Sequence, residues 1–165
     1  MSAEKSNPLS INLISAMSST RVIGTQDGMP WEVPEEYQQY LGFVGGQTVI
    51  MGRRSYEIFG PDLTTTHNLV ISRSLEAGPG YEVSRSLEEA LESARNLGKK
   101  IFVAGGASIY AQALPLADQM YLSIIKGEFE GIAFFPEFER GNWEIVEQKD
   151  HPRFTFFRYR RKESR

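Results

Sequence analysis

At 165 residues, 41% hydrophobic and 24% charged, the chain reads as one globular domain that buries about two-thirds of its unfolded surface in a single core. No apolar run approaches the roughly 18 residues of a membrane span. The lack of cysteine removes disulfides, thiolate metal sites and cysteine nucleophiles together, and fits a cytosolic chain. A formal charge of −3 argues against a general nucleic-acid binder and favours a small-molecule partner.

Residues 1–8 are polar with both signs of charge and no apolar stretch behind them, which is not a signal peptide and predicts a frayed tail. Residues 9–165 are expected to form the single domain. Ile11 to Met17 reads as a buried strand. The stretch Asp27-Gly28-Met29-Pro30-Trp31-Glu32-Val33-Pro34-Glu35-Glu36-Tyr37 ends a glycine-rich loop and starts a helix, with Pro34 suited to the first turn. Val33, Tyr37, Tyr40, Leu41 and Val44 form its inward stripe, and Glu35, Gln38 and Gln39 fall opposite. Glu36 lies at the edge of that stripe. It reads either as a helix-start carboxylate favoured by the macrodipole, or as a partly desolvated acid tuned for proton transfer.

Thr48 to Met51, Asn68 to Ser72 and Ile101 to Ala104 read as further buried strands. Between the last two, Ser86 and Glu89 have capping-box spacing, Leu87, Ala90, Leu91, Ala94 and Leu97 form one helical face, and Gly98 stops it. Strand, helix, strand predicts a right-handed parallel crossover. A short helix follows Gly106 with Ile109, Tyr110, Ala113 and Leu114 inward and ends at Pro115. Met120 to Ile125 resumes a strand, and Trp143 to Lys149 and Phe154 to Arg161 flank a His-Pro turn as two antiparallel strands. The fold class predicted is α/β: a central, mostly parallel mixed sheet with a C-terminal antiparallel hairpin and helices on both faces.

Two strand ends carry candidate chemistry. Gly105-Gly106 would let backbone approach a ligand at a helix start where a phosphate is favoured, although such a pair is also often only a tight turn. It is not the G-x-G-x-x-G fingerprint. Met51-Gly52-Arg53-Arg54-Ser55-Tyr56 again leaves a strand for a helix, with two arginines that are either a phosphate site, joined by Arg73, or solvated surface groups. His67 and His151 are the only histidines. Neither a metal site nor a hydrolase triad is expected of them.

The combination resembles one family. Ile14-Ser15-Ala16-Met17, Val22-Ile23-Gly24, Gly28-Met29-Pro30-Trp31, Pro34-Glu35-Glu36, Val49-Ile50-Met51-Gly52-Arg53, Asn68-Leu69-Val70-Ile71-Ser72, Gly105-Gly106 with Tyr110, and Phe134-Phe135-Pro136 are similar to dihydrofolate reductases from Ile11 to about Arg161. That resemblance implies reduction of 7,8-dihydrofolate to tetrahydrofolate by NADPH, with hydride passing to C6 and a proton to N5. Glu36 would anchor the pterin and promote protonation, Ser123 would replace the usual threonine behind it, and Trp31 would hold an ordered water. Ile14, Ser15, Tyr40, Ala104 and Tyr110 would border the substrate. Gly105 and Gly106 would face the pyrophosphate, and Ala16, Ile23, Gly28, Met29, Gly52, Ser55, Ser72, Ser108, Ile109 and Tyr110 would line the NADPH site. Arg53, with Arg54 and Arg73, would meet the 2′-phosphate. A cytoplasmic monomer is implied.

Three departures accompany the resemblance. Thr66 stands where the family carries the arginine that grips the substrate's glutamate, a loss of roughly 1.5–3 kcal/mol. His67 could compensate or be structural. Gly131-Ile132-Ala133 replaces a Gly-Asp-Thr run, and Ala104 is smaller than the usual aliphatic residue. The missing arginine leaves open a reductase of another pterin or of a ribosylamino-pyrimidine, and a non-catalytic nucleotide-binding homologue is a third reading.

Overall fold

The computed structural model describes residues 10–24 and 28–162. The predicted tail at 1–8 and Asp27 lie outside the described residues.

Six strands paired in parallel, and two more added at one edge by antiparallel pairing, make one sheet of eight in which only the seventh strand in spatial order runs against the rest. In chain order its strands are β1 (Ile11–Ser18), β3 (Thr48–Gly52), β4 (His67–Ile71), β5 (Glu82–Ser84), β6 (Ile101–Val103), β7 (Gln119–Ile125), β9 (Trp143–Asp150) and β10 (Phe154–Arg161), in the order β5-β4-β3-β6-β1-β7-β10-β9. A separate small antiparallel pair joins β2 (Val22–Gly24) to β8 (Ala133–Phe134). The helices are α1 (Pro34–Val44), α2 (Arg53–Phe59), α3 (Leu87–Arg95) and α4 (Ala107–Ala113).

Side chains alternate across the pleat, so each strand feeds two cores. Leu13, Ile50, Ile101, Val103, Met120 and Leu122 pack with the buried faces of α3 and α4, whereas Ile14, Val49, Met51, Phe102 and Tyr121 pack with Val33 and Val44 at the ends of α1. The predicted strands, hairpin and helices are present, and the mostly parallel sheet is borne out.

Three predicted details differ. Glu82–Ser84 forms a short edge strand that sequence reading missed, because three residues beside a Gly-Pro-Gly turn carry too little periodicity. As a result α3 leads from β5 to β6, and β3 lies between β4 and β6. The start of α3 is nearly as expected: the Ser86 hydroxyl accepts from Glu89 N at 3.1 Å, but the Glu89 carboxylate accepts from Arg85 N at 3.0 Å rather than from Ser86.

The stripe on α1 is rotated from its prediction. Glu36 and Val44 are its buried residues, while Tyr37, Tyr40 and Leu41 are only partly covered. Gln39 does not face solvent opposite the core, since its Nε2 donates to Ser123 Oγ at 3.2 Å. Apolar periodicity weighs a glutamate as an outward residue and so turns the helix to suit the tyrosines.

Candidate active site

Strands β6 and β1 are neighbours whose onward connections run opposite ways, through α4 to β7 and through α1 to β3. Such a switch point opens a crevice beyond the carboxyl ends of the strands. Here a cleft of about 570 Å³ occupies that place.

Its floor comes from β1. Ile14, Ser15 and Ala16 line it together with Glu36, Tyr40, Ala104 and Tyr110. Tyr110 O–H donates to the Ile14 carbonyl at 2.6 Å, which ties α4 to the end of β1. Glu36 is 5% exposed. Burial pushes its carboxyl up to about 7, and a hydrogen bond with the Ser123 hydroxyl partly offsets that. Ser123 is placed by the β1–β7 ladder, where it stands opposite Ala16. Burial also raises the phenols of Tyr37, Tyr40 and Tyr110, with the Glu36 charge adding to each, so all three remain neutral.

The second wall is the Gly-Gly turn. Gly52 N donates to Gly105 O at 2.8 Å, which fixes the turn against the end of β3. Gly105 has φ +109°, and a Cβ there would lie 3.3 Å from the Tyr110 ring and 3.4 Å from Ser55 Oγ. Any side chain would be strained and would fill the cradle that Gly105, Gly106, Gly52 and Ser55 make. Arg54, Ile23, Gly28 and Met29 also line the cleft.

Other predicted residues stand outside the lining. Trp31 is buried beside Phe129, ring centroids 5.3 Å apart, and its Nε1–H has no acceptor among the described residues. Arg53 pairs with Glu57 at 3.0 Å on the exposed side of α2. The Ser72 hydroxyl accepts from the backbone of Ser74 and Leu75, and Arg73 follows it in the exposed loop after β4. In α4, Ser108 accepts from Gln112 Nε2 at 3.2 Å and Ile109 packs into the core.

Tyr37, Ile58, Phe59, Ala107 and the Gly24, Ile132, Ala133 group complete the cleft and were missed from sequence. Tyr37 and Phe59 show their role only in the structure, where α2 has no buried residue and its apolar end faces the cleft. Ile132 and Ala133 come from the departing Gly-Ile-Ala run. Ile132 N donates to Gly24 O at 2.9 Å, and a Cβ on Gly131 would strike that carbonyl at 2.3 Å, so the backbone tie that continues the β2–β8 pair at the cleft edge needs a glycine there.

The comparisons with known proteins agree with this geometry. A family model described as dihydrofolate reductase matches residues 10–161. The dihydrofolate reductase type A13 of Escherichia coli is 37% identical over 143 residues, covering 85% of this chain and 87% of that protein. The dihydrofolate reductase of Bacillus subtilis is 32% identical over 162 residues, covering 93% and 96%. A solved dihydrofolate reductase from Enterococcus faecalis, complexed with NADP(H) and RAB-propyl, superposes with a TM-score of 0.84 at 25% identity and covers 94% of this chain and 98% of its own. With a buried acid at the switch point, a glycine cradle beside it and these relatives along nearly its whole length, the chain belongs to the dihydrofolate reductase family.

Proposed function

We infer that this chain catalyses the NADPH-dependent reduction of 7,8-dihydrofolate to 5,6,7,8-tetrahydrofolate. The observation that carries the reading is Glu36, a nearly inaccessible carboxyl at the floor of the cleft that keeps its proton up to about pH 7. No folding benefit explains an acid there, because burying a carboxyl costs free energy that an apolar residue would not.

NADPH, when bound, supplies the hydride. The cradle at Gly105 and Gly106, with Gly52, Ser55 and Arg54, fits its phosphates, and Ala16, Ile23, Gly28 and Met29 fit the part that reaches the substrate. Ser108, Ile109, Ser72, Arg73 and Arg53 belong to this proposal less directly, as supports or outer contacts of the cofactor. Glu36 presents two oxygens to an amidine-like ring edge and brings a proton toward N5. Ser123 holds the carboxylate from behind. Trp31, whose N–H meets no acceptor among the described residues, supports a water on the path of that proton. Ile14, Ser15, Tyr40, Ala104 and Tyr110 clamp the ring so that the acceptor carbon faces the cradle, and exclusion of solvent does the rest by positioning.

Residues 9–165 act in this reading as one reductase domain, a cytoplasmic monomer. The test is NADPH oxidation by the purified chain with dihydrofolate, against Glu36→Gln. Glu36-dependent turnover is expected; turnover equal in the variant, or none with dihydrofolate, overturns the assignment. Sedimentation of the active species checks the monomer.

A further inference from the structure

Beyond Glu36 and the glycine cradle the cleft has a third side, which runs out between α1 and α2 past Tyr37, Tyr40, Ile58 and Phe59. Its walls are aromatic. Tyr37 stacks on Tyr40 with ring centroids 6.0 Å apart, and Phe59 meets the two at 6.1 and 6.3 Å. A ring held on Glu36 sends any substituent out this way, because the cradle takes the other direction.

The exit is bridged. Tyr37 O–H donates to Asp62 Oδ2 at 2.6 Å, which links α1 to the 3-10 turn Gly60–Asp62 that follows α2. Asp62 is exposed, and among the described residues no cation pairs with it. The groups that could have balanced it are occupied or distant. Thr66 is neutral and its hydroxyl donates to Gly46 O at 2.9 Å. Arg53 is paired with Glu57. Arg54 lines the cleft from the first turn of α2, about 12 Å of helix before Asp62. The aromatic exit therefore ends at a fixed negative charge.

We propose that Asp62, held in place by Tyr37, is a specificity-determining residue that disfavours an anionic substituent on the substrate ring, so that the enzyme reads the ring rather than a charged tail. The inference rests on the dihydrofolate reading of the cleft. It goes beyond the absence of a gripping arginine at Thr66, because an absent cation leaves the tail unread whereas a fixed carboxylate repels it. At a separation near the Debye length in a mostly aqueous setting, the repulsion weakens binding of a tail carboxylate by about two-fold at low salt, and higher salt removes it.

Asp62→Asn tests the charge alone, since the amide oxygen still accepts from Tyr37. Asp62→Ala removes the bridge as well. The assay is kcat/KM for dihydrofolate and for a dihydropterin lacking the p-aminobenzoyl-glutamate, at low and high salt. At low salt both variants are expected to raise kcat/KM for dihydrofolate about two-fold. High salt closes the gap, and the tail-less substrate is used as by the parent. An Asp62→Asn enzyme that treats both substrates as the parent does, or gains equally on both, overturns the proposal. So does a gain seen only with Asp62→Ala, which would assign the effect to the bridge and not the charge. Failure of the parent to turn over either substrate through Glu36 would instead sink the reading of the cleft.

Discussion

Replacing Glu36 by Gln should make the folded protein more stable and the enzyme far less active, with the size of the first effect set by pH. In the fold this carboxyl ionises near 7, against an ordinary value of 4.5. The folded state therefore holds its proton where the unfolded chain has already released it. The penalty for the charge is absent below the unfolded value and complete above the folded one. Wild-type stability thus falls as pH rises through this window, while a glutamine, similar in size and always neutral, feels nothing. The gain from Glu36→Gln works out to about 1 kcal/mol at pH 5, about 2 at pH 6 and about 3 at pH 8. Urea denaturation of both proteins at those three pH values measures it directly. In the same variant kcat with dihydrofolate should drop about 10²- to 10⁴-fold, the usual range for a lost general acid. A stability difference that is flat across pH would show that Glu36 is not the buried, proton-holding group described, and an unchanged kcat would remove it from the chemistry.

Ser123→Ala deletes the hydrogen bond that lowers the Glu36 pKa, so the pH at which turnover declines should move upward, read from the pH profile of kcat/KM. Gly105→Ala puts a side chain at φ +109° against Tyr110 and Ser55; a stability loss of about 1–3 kcal/mol and a greater loss of NADPH affinity, by titration of intrinsic fluorescence, are expected. Thr66→Arg should lower KM for dihydrofolate about ten-fold or more and leave a tail-less pterin unaffected, as steady-state kinetics with the two substrates would show. Leu91→Ala, in a residue 2% exposed on the inward face of α3, should cost about 2–5 kcal/mol in denaturant without altering kcat where the protein stays folded.

Much of the fold could be read because its elements announce themselves locally. Leu87, Ala90, Leu91 and Ala94 recur at the helical period behind a capping serine, and all four are buried. Thr48–Gly52 and Ile101–Val103 are short apolar runs, buried through their length apart from Gly52, as central parallel strands must be. The edge strand Glu82–Ser84 and the β2–β8 pair escaped because each is defined by its partner, not by its own pattern. The site was legible where motif and topology coincide, at Glu36, Gly52 and Gly105. It was obscure where a side chain reaches across the chain. Nothing near Tyr37 in sequence points to Asp62, and nothing near Gln39 points to Ser123; these meetings exist only once α1 lies on the sheet.

The buried polar residues sharpen the distinction between what folds the chain and what the chain is for. Asn12 is buried and bonded to the Ile101 carbonyl at 3.1 Å, and the Ser18 hydroxyl accepts from Val22 N at 3.0 Å, so both stitch backbone that would otherwise be left short of partners. Ser15, Glu36 and Ser123 are equally buried, but they lie on three separate elements; Ser15 and Glu36 line the cleft, and Ser123 bonds to Glu36 from behind it. Glu36 gives the backbone nothing that a leucine in the same turn would not, and it carries a desolvation cost that Ser123 only partly relieves. A polar side chain that stabilises the fold should be destabilising to remove at every pH. One kept for chemistry should be neutral or stabilising to remove wherever it is charged. The pH series on Glu36 therefore separates the two kinds of buried group, and Asn12→Leu, which should weaken the protein alike at pH 5 and pH 8, is its control.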